Sequence, residues 1–295
     1  MTTITNRTLT TTGEGGLNHA IPPMRLYHKA KELGVWNPQH IDFSGDQKDW
    51  QALSDTERDV IIRLTSLFQA GEESVTLDLL PLIMTIAKEG RIEEEMFLTT
   101  FLWEEAKHTE FFRRFIDEVT GVTIDLTPYH SDSYKHIIYE ELPASLHALT
   151  TDPSPANQVK ASVTYNMIVE GVMAETGYHG YYAMLDRNKI LPGLKEGIGL
   201  LKRDESRHIA YGVYLLSRLV ASDPSLWEII EERMNTLFEP ALNIVNELFA
   251  PYDPMPFDLQ IDEFLSFAMN QFQKRMSRIE KARKQTIDEI NKMDM

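Results

Sequence analysis

Two Glu-x-x-His units occur in the chain, Glu105-Ala106-Lys107-His108 and Glu205-Ser206-Arg207-His208. Each has a further glutamate upstream, Glu72 by 33 residues and Glu170 by 35. A three-residue step turns an α-helix by about 300°, so the Glu and His of each unit project from one face and can hold one ion together. None of the other seven histidines has a glutamate three positions before it. Two Glu and two Glu-x-x-His on four helices make the donor set of a dinuclear carboxylate metal centre.

Charge decides what such a set can do. Four carboxylates buried together repel one another and take up protons, whereas two divalent cations balance them and leave the imidazoles neutral. Oxygen-rich ligands with one His per ion suit Fe or Mn, while closed zinc sites prefer sulfur or several His. Six protein ligands on two ions leave coordination positions open, as reduction of dioxygen requires. If both ions reach the trivalent state, two positive charges are uncompensated, and an anion from outside the protein is expected at the centre.

The rest of the composition narrows the class. A net charge of −16 argues against binding a phosphate backbone, so nucleic acid is not an expected partner. The absence of cysteine excludes disulfides, iron–sulfur clusters and thiolate zinc sites. No run reaches the ~18 apolar residues of a membrane span, because Asp78 and Pro81 interrupt Leu77 to Ala87. The Thr- and Gly-rich stretch from Met1 to Ala20 has no apolar signal core and reads as a disordered leader, with 21–295 a single helical domain. The cytoplasm is the expected compartment.

The elements that must carry the ligands are helices. Ser54-Asp55-Thr56-Glu57 reads as a capping box opening a helix whose apolar positions Val60, Ile61, Leu64, Leu67, Phe68 and Val75 recur at helical spacing, with Glu72 on that apolar side. A second helix is expected from Ile92 to Val119, stopped at Gly121, with Glu105 and His108 in its middle. Others are expected over 132–149, 155–186 (carrying Glu170), 192–220 (carrying Glu205 and His208), 224–249 and 258–294. The charged run from Lys274 to Lys292 reads as a solvated face, Glu93-Glu94-Glu95 as favourable acid at a helix start, and His136, His147 and His179 as ordinary histidines.

Several strings resemble a known family. Val35-Trp36-Asn37-Pro38, Ile41-Asp42-Phe43, Gln51-Ala52-Leu53, Glu105-Ala106-Lys107-His108 and Asp204-Glu205-x-x-His208 are similar in order and spacing to the small subunit of ribonucleotide reductase. Ala70-Gly71-Glu72-Glu73-Ser74-Val75-Thr76, Ala161-Ser162-Val163-Thr164-Tyr165-Asn166, Ile168-Val169-Glu170-Gly171 and Thr176-Gly177-Tyr178 resemble more closely the ligand-binding oxidases derived from that subunit. The resemblance implies an all-α, ferritin-like four-helix core with additional helices, and a homodimer. It implies Mn held by Glu72, Glu105 and His108 and Fe by Glu170, Glu205 and His208, with an Fe/Fe pair as the alternative filling. It also implies a long-chain fatty acid bridging the ions, O₂ as oxidant, and an ether bond between Val75 and Tyr165. Asp204 and Trp36 match residues behind the first-site histidine, here His108. Tyr178 is placed to hydrogen-bond a ligand carboxylate, and Gly71, Ala174 and Gly171 either leave room for an acyl chain or permit close helix packing.

One geometric demand accompanies the ether bond. Val75 follows Glu72 by three residues and faces the centre, but Tyr165 precedes Glu170 by five, about 140° away on an ideal α-helix, so a bulge or a long reach is needed. Two departures separate the chain from a radical-generating reductase subunit, which together with a ferroxidase or metal-storage protein is the alternative function. Phe112 stands four residues after His108, where most such subunits carry the radical Tyr, and Asp253 to Met295 contains no Tyr.

Overall fold

A computed structural model describes residues 9–121 and 123–294. Among these the regular elements are all helical. In chain order they are α1 (Pro22–Leu33), α2 (Ser44–Ala52), α3 (Asp55–Asp78), α4 (Leu80–Lys88) and α5 (Ile92–Phe115). Next comes α6, a composite of Asp132–Lys135, His136–Glu141 and Leu142–His147. The composite α7 joins Pro155–Ser162, Val163–Ala174 and Glu175–Asn188, followed by α8 (Pro192–Ser222), α9 (Leu226–Phe249), α10 (Ile261–Ala282) and α11 (Ile287–Ile290).

Local chemistry sets the ends of these rods. Ser54 and Glu57 form the expected reciprocal capping box at the start of α3, Pro155 and Pro192 occupy first helical positions, and Gly121 ends the extension of α5 at φ 62°. Asp46, fully buried on α2, accepts from the backbone N–H groups of Gly193 (2.8 Å) and Leu194 (2.7 Å), tying α2 to the open N-terminus of α8. The expected single helix over 258–294 is instead two, α10 and α11. Hydrogen-bonded turns follow Ala282, and Thr286 opens a new capping box with Glu289. Of the expected leader, residues 1–8 lie outside the described residues, while in 9–20 a short turn spans Thr10–Thr12 and the Asn18 N–H donates to Glu93 Oε1.

The core is split in two, and the split locates the site. Along α3, Phe68 belongs to one apolar cluster and Val75 to the other, with Glu72 between them. On α5 the order is Phe101, then Glu105 and His108, then Phe111; on α7 it is Val169, Glu170, Tyr178; on α8 it is Leu201, then Glu205 and His208, then Tyr211. All four rods therefore cross one shared polar layer, α3 and α8 in one direction and α5 and α7 in the other. A layer of charge through the middle of a hydrophobic core is costly unless something compensates it.

Candidate metal centre

The layer brings the six expected ligands together. Glu72, Glu105, His108 and Glu205 offer donor atoms that all lie within 4.8 Å of one another, and so do Glu105, Glu170, Glu205 and His208. Glu105 and Glu205 belong to both groups. His108 Nδ1 is 3.4 Å from Glu72 and 3.2 Å from Glu205, and His208 Nδ1 is 3.1 Å from Glu105 and 3.7 Å from Glu170. The two halves are thus joined by two carboxylates.

The donor atoms themselves point to cations. Nδ1 of both histidines, Glu105 Oε2, Glu170 Oε1 and Glu205 Oε2 are buried without a hydrogen-bond partner, which is expensive for atoms of this kind unless an ion takes their lone pairs. The outward nitrogens are engaged: His108 Nε2 lies 3.4 Å from Asp204 and His208 Nε2 2.8 Å from Glu104. A proton on each Nε2 leaves the Nδ1 lone pair free for a metal, the tautomer that an outer carboxylate favours. The residues fit a pair of divalent cations.

Electrostatics without the ions shows the same need. Burial pushes the carboxyls of Glu72 and Glu170 well above their ordinary range. Burial also opposes the charge of Glu105, but the imidazoles on both sides of it override burial and hold it low. Burial opposes the imidazolium forms, yet Glu72 beside His108 and Glu205 beside His208 raise both histidines well above the usual value. Protons therefore stand in for metal, and metal uptake must displace them. Loading at pH 7 is expected to release protons, and affinity to rise with pH. Titration calorimetry in two buffers of different ionisation enthalpy measures this, and identical heats in both would refute it.

Trp36, Asp204, Tyr165 and Glu104 surround the ligands. Trp36 donates from Nε1 to Asp204 (2.7 Å) and stacks with His108 at 6.2 Å. Val163–Ala174 is a π-helix, in which bonds run from i to i+5, so Tyr165 and Glu170 share a face and the required bulge is present. The Tyr165 hydroxyl lies 3.2 Å from Glu105 Oε1 and 3.4 Å from the Val75 carbonyl oxygen. The Tyr178 hydroxyl is buried without a partner and its ring lies 5.0 Å from that of Phe68; burial, then the charges of Glu205, Glu72 and Glu105, push its pKa well above the ordinary value. Phe112 is fully buried and stacks on Phe68. The ligand spacing does not reach Glu104; its mark in the sequence is that it precedes Glu105 as Asp204 precedes Glu205.

A cavity opens from the carboxylates. Glu72, Glu105, Glu170 and Glu205 line it, and Leu64, Phe68, Ile244, Leu248 and Phe264 are among its apolar side chains. About 1060 Å³ of space lies between the protein atoms, its open mouth included. Gly71 and Ala174 line this space, whereas Gly171 faces α10, where a Cβ would lie 3.0 Å from Arg275 Nε. Gly171 therefore permits packing, and the other two leave room. None of the helices among the described residues is long and apolar enough to cross a membrane.

Comparison with known proteins agrees with this geometry. The family model for the ribonucleotide reductase small chain matches residues 23–279. Among solved structures, a valine-to-isoleucine variant of an R2-like ligand-binding oxidase with aerobically reconstituted Mn/Fe cofactor superposes with a TM-score of 0.89 at 36% identity, covering 93% of this chain and 99% of that one. A valine-to-leucine variant with anaerobically reconstituted Mn/Fe cofactor gives 0.87 at 37% identity, covering 93% and 98%. A glycine-to-phenylalanine variant with aerobically reconstituted Mn/Fe cofactor gives 0.86 at 37% identity, covering 89% and 98%. With the buried six-ligand layer, the π-helix and the ferritin-like core in place, the chain belongs to the ribonucleotide reductase small-chain family and, within it, to the R2-like ligand-binding oxidases.

Proposed function

We propose that the protein is a dinuclear-metal oxidase that uses O₂ for the two-electron oxidation of a long-chain, fatty-acid-like substrate and forms an ether bond between Val75 and Tyr165. Mn would be held by Glu72, Glu105 and His108 and Fe by Glu170, Glu205 and His208, as the Mn/Fe cofactors of the related oxidases suggest. The observation that carries the reading is one apolar cavity ending on four carboxylates. Such a space suits a molecule with a hydrocarbon body and one anionic head that the cations can accept. Along α3 the lining runs from Glu72 back to Val60, twelve residues or about 18 Å, the span of a long acyl chain rather than a short one.

The bound metal pair would supply O₂ activation, with one electron from each ion. In the turnover that forms the C–O bond, the other two electrons needed to take O₂ to two waters would come from Val75 and Tyr165, which lose the Cβ–H and O–H hydrogens; in a later turnover those two would come from the aliphatic substrate, after an external one-electron reductant returns both ions to the divalent state. Tyr165 is held for this by burial and by its hydroxyl contact with Glu105, and the branched Cβ of Val75 carries a comparatively weak tertiary C–H. Phe68, Phe112 and Tyr178 close the site on the side of the second apolar cluster and exclude water.

Native mass spectrometry of the Mn/Fe-loaded protein with added palmitate tests the ligand. One fatty acid and two metal ions per chain are expected. Ala174→Phe and Gly71→Leu, which fill the cavity, are expected to lose the acid at least about 10-fold, the scale of 1.4 kcal/mol, while keeping both ions. A wild-type protein that takes up both ions but no fatty acid at any concentration would defeat the substrate assignment.

A further inference from the structure

The leading acid of each ligand unit serves the histidine of the other unit, and it does so unequally. Glu104, fully buried on α5, lies 2.8 Å from Nε2 of His208 on α8; Asp204, fully buried on α8, lies 3.4 Å from Nε2 of His108 on α5. Arg207 ties the two acids together, its Nη2 at 2.5 Å from Glu104 Oε1 and 2.6 Å from Asp204 Oδ1. The difference lies in the remaining oxygens. Asp204 Oδ2, the atom facing His108, also accepts from Trp36 Nε1 at 2.7 Å and from Lys107 Nζ at 3.0 Å. Glu104 Oε2 faces His208 alone. Gly34 leaves the space that Glu104 occupies: a Cβ there would fall 2.1 Å from Glu104 Oε1 and 3.2 Å from Arg207 Nη2.

An anionic oxygen in an undivided short hydrogen bond strengthens the imidazole it accepts from, and one shared among three donors does so weakly. Stronger nitrogen donation widens the preference of a site for Fe²⁺ over Mn²⁺, since Fe²⁺ lies above Mn²⁺ in the affinity order. We propose that Glu104 is the positioning residue that makes the His208 half of the centre selective for iron. The diluted contact of Asp204 leaves the His108 half permissive to manganese. This rests on the two-ion assignment proposed above and gives it a cause within the chain.

The test is anaerobic loading of the metal-free, full-length protein with equimolar Mn²⁺ and Fe²⁺. Total metal is then measured by elemental analysis, and occupancy of each half by anomalous scattering at the two absorption edges. In wild-type protein, iron is expected in the His208 half. Glu104→Gln, of the same shape but without the anion, is expected to keep two ions per chain at saturating metal while the Fe:Mn ratio in that half falls severalfold, since only part of the roughly 10- to 100-fold affinity that an outer carboxylate contributes discriminates between the two ions. Glu104→Asp, which keeps the charge at a longer reach, is expected to fall between, and Asp204→Asn to leave the His208 half unchanged. An unaltered ratio in Glu104→Gln, or an equal loss in Asp204→Asn, overturns the inference. A wild-type chain that holds no pair of ions instead defeats the underlying assignment, so the two failures are distinguishable.

Discussion

Exchange of Glu170 for Gln is expected to raise the melting temperature of the metal-free protein and to lower that of the metal-loaded protein. The opposite signs distinguish a ligand from a structural residue. In the metal-free protein, Glu170 is buried beside Glu205, and both effects push its carboxyl well above the ordinary range. A group with a raised folded-state pKa favours the fold when protonated and costs stability as pH rises past the ordinary carboxyl range. The gain from Gln should therefore be larger at pH 7 than at pH 4. Each kcal/mol relieved corresponds to about 2–4 °C in a chain of this class. Asn166, which donates to Glu170 Oε2 at 3.0 Å, can donate equally to an amide oxygen, so the fold keeps that contact.

With metal present the balance reverses. Loss of an outer partner alone weakens metal binding about 10- to 100-fold, so loss of a carboxylate ligand should exceed that, or at least about 1.4–2.8 kcal/mol of ligand-linked stability at saturating metal. Scanning calorimetry of both forms, with and without Mn²⁺ and Fe²⁺, provides the measurement. A Gln variant whose melting temperature falls equally in the two forms would show that Glu170 is held for packing rather than for metal.

Aerobic loading with Mn²⁺ and Fe²⁺ is expected to fuse two tryptic peptides, residues 64–88 and 161–187, into one species lighter than their sum by two hydrogens. Tyr165→Phe removes the oxygen that would form the bond and should abolish the fused species completely, with metal content unchanged. The same loading without oxygen should also leave the peptides separate. The geometry behind this expectation is the approach of the Tyr165 hydroxyl to Val75 and Glu105 across the α3–α7 gap. Peptide mapping by mass spectrometry decides it: two unmodified peptides after aerobic loading, in a chain holding both ions, would remove the ether bond from the proposed function.

How much of this was legible in the sequence follows from the range over which each cause acts. Helix periodicity, the Ser54 capping box and the Gly121 stop are local, and so is the three-residue step that puts Glu105 with His108 and Glu205 with His208 on one face. The duplicated spacing and the resemblance named the six ligands, because a donor set is a matter of residue type and order. The break after Ala282 was less visible, since the charged run through it keeps helical composition on both sides.

The tertiary structure alone decided the rest. The π-helix over Val163–Ala174 brings Tyr165 and Glu170 to one face, which decides between the bulge and the long reach that their spacing left open. Only packing showed that Gly71 and Ala174 border open space while Gly171 is pressed by Arg275, because small residues serve both purposes. The service of Glu104 to His208 likewise joins residues 104 positions apart, whereas the resemblance already implied Asp204 behind His108. Sequence fixes which groups a helix face carries, since that depends on steps of three and four residues; which face meets which, and what space is left between them, depends on how four rods pack around a layer of charge.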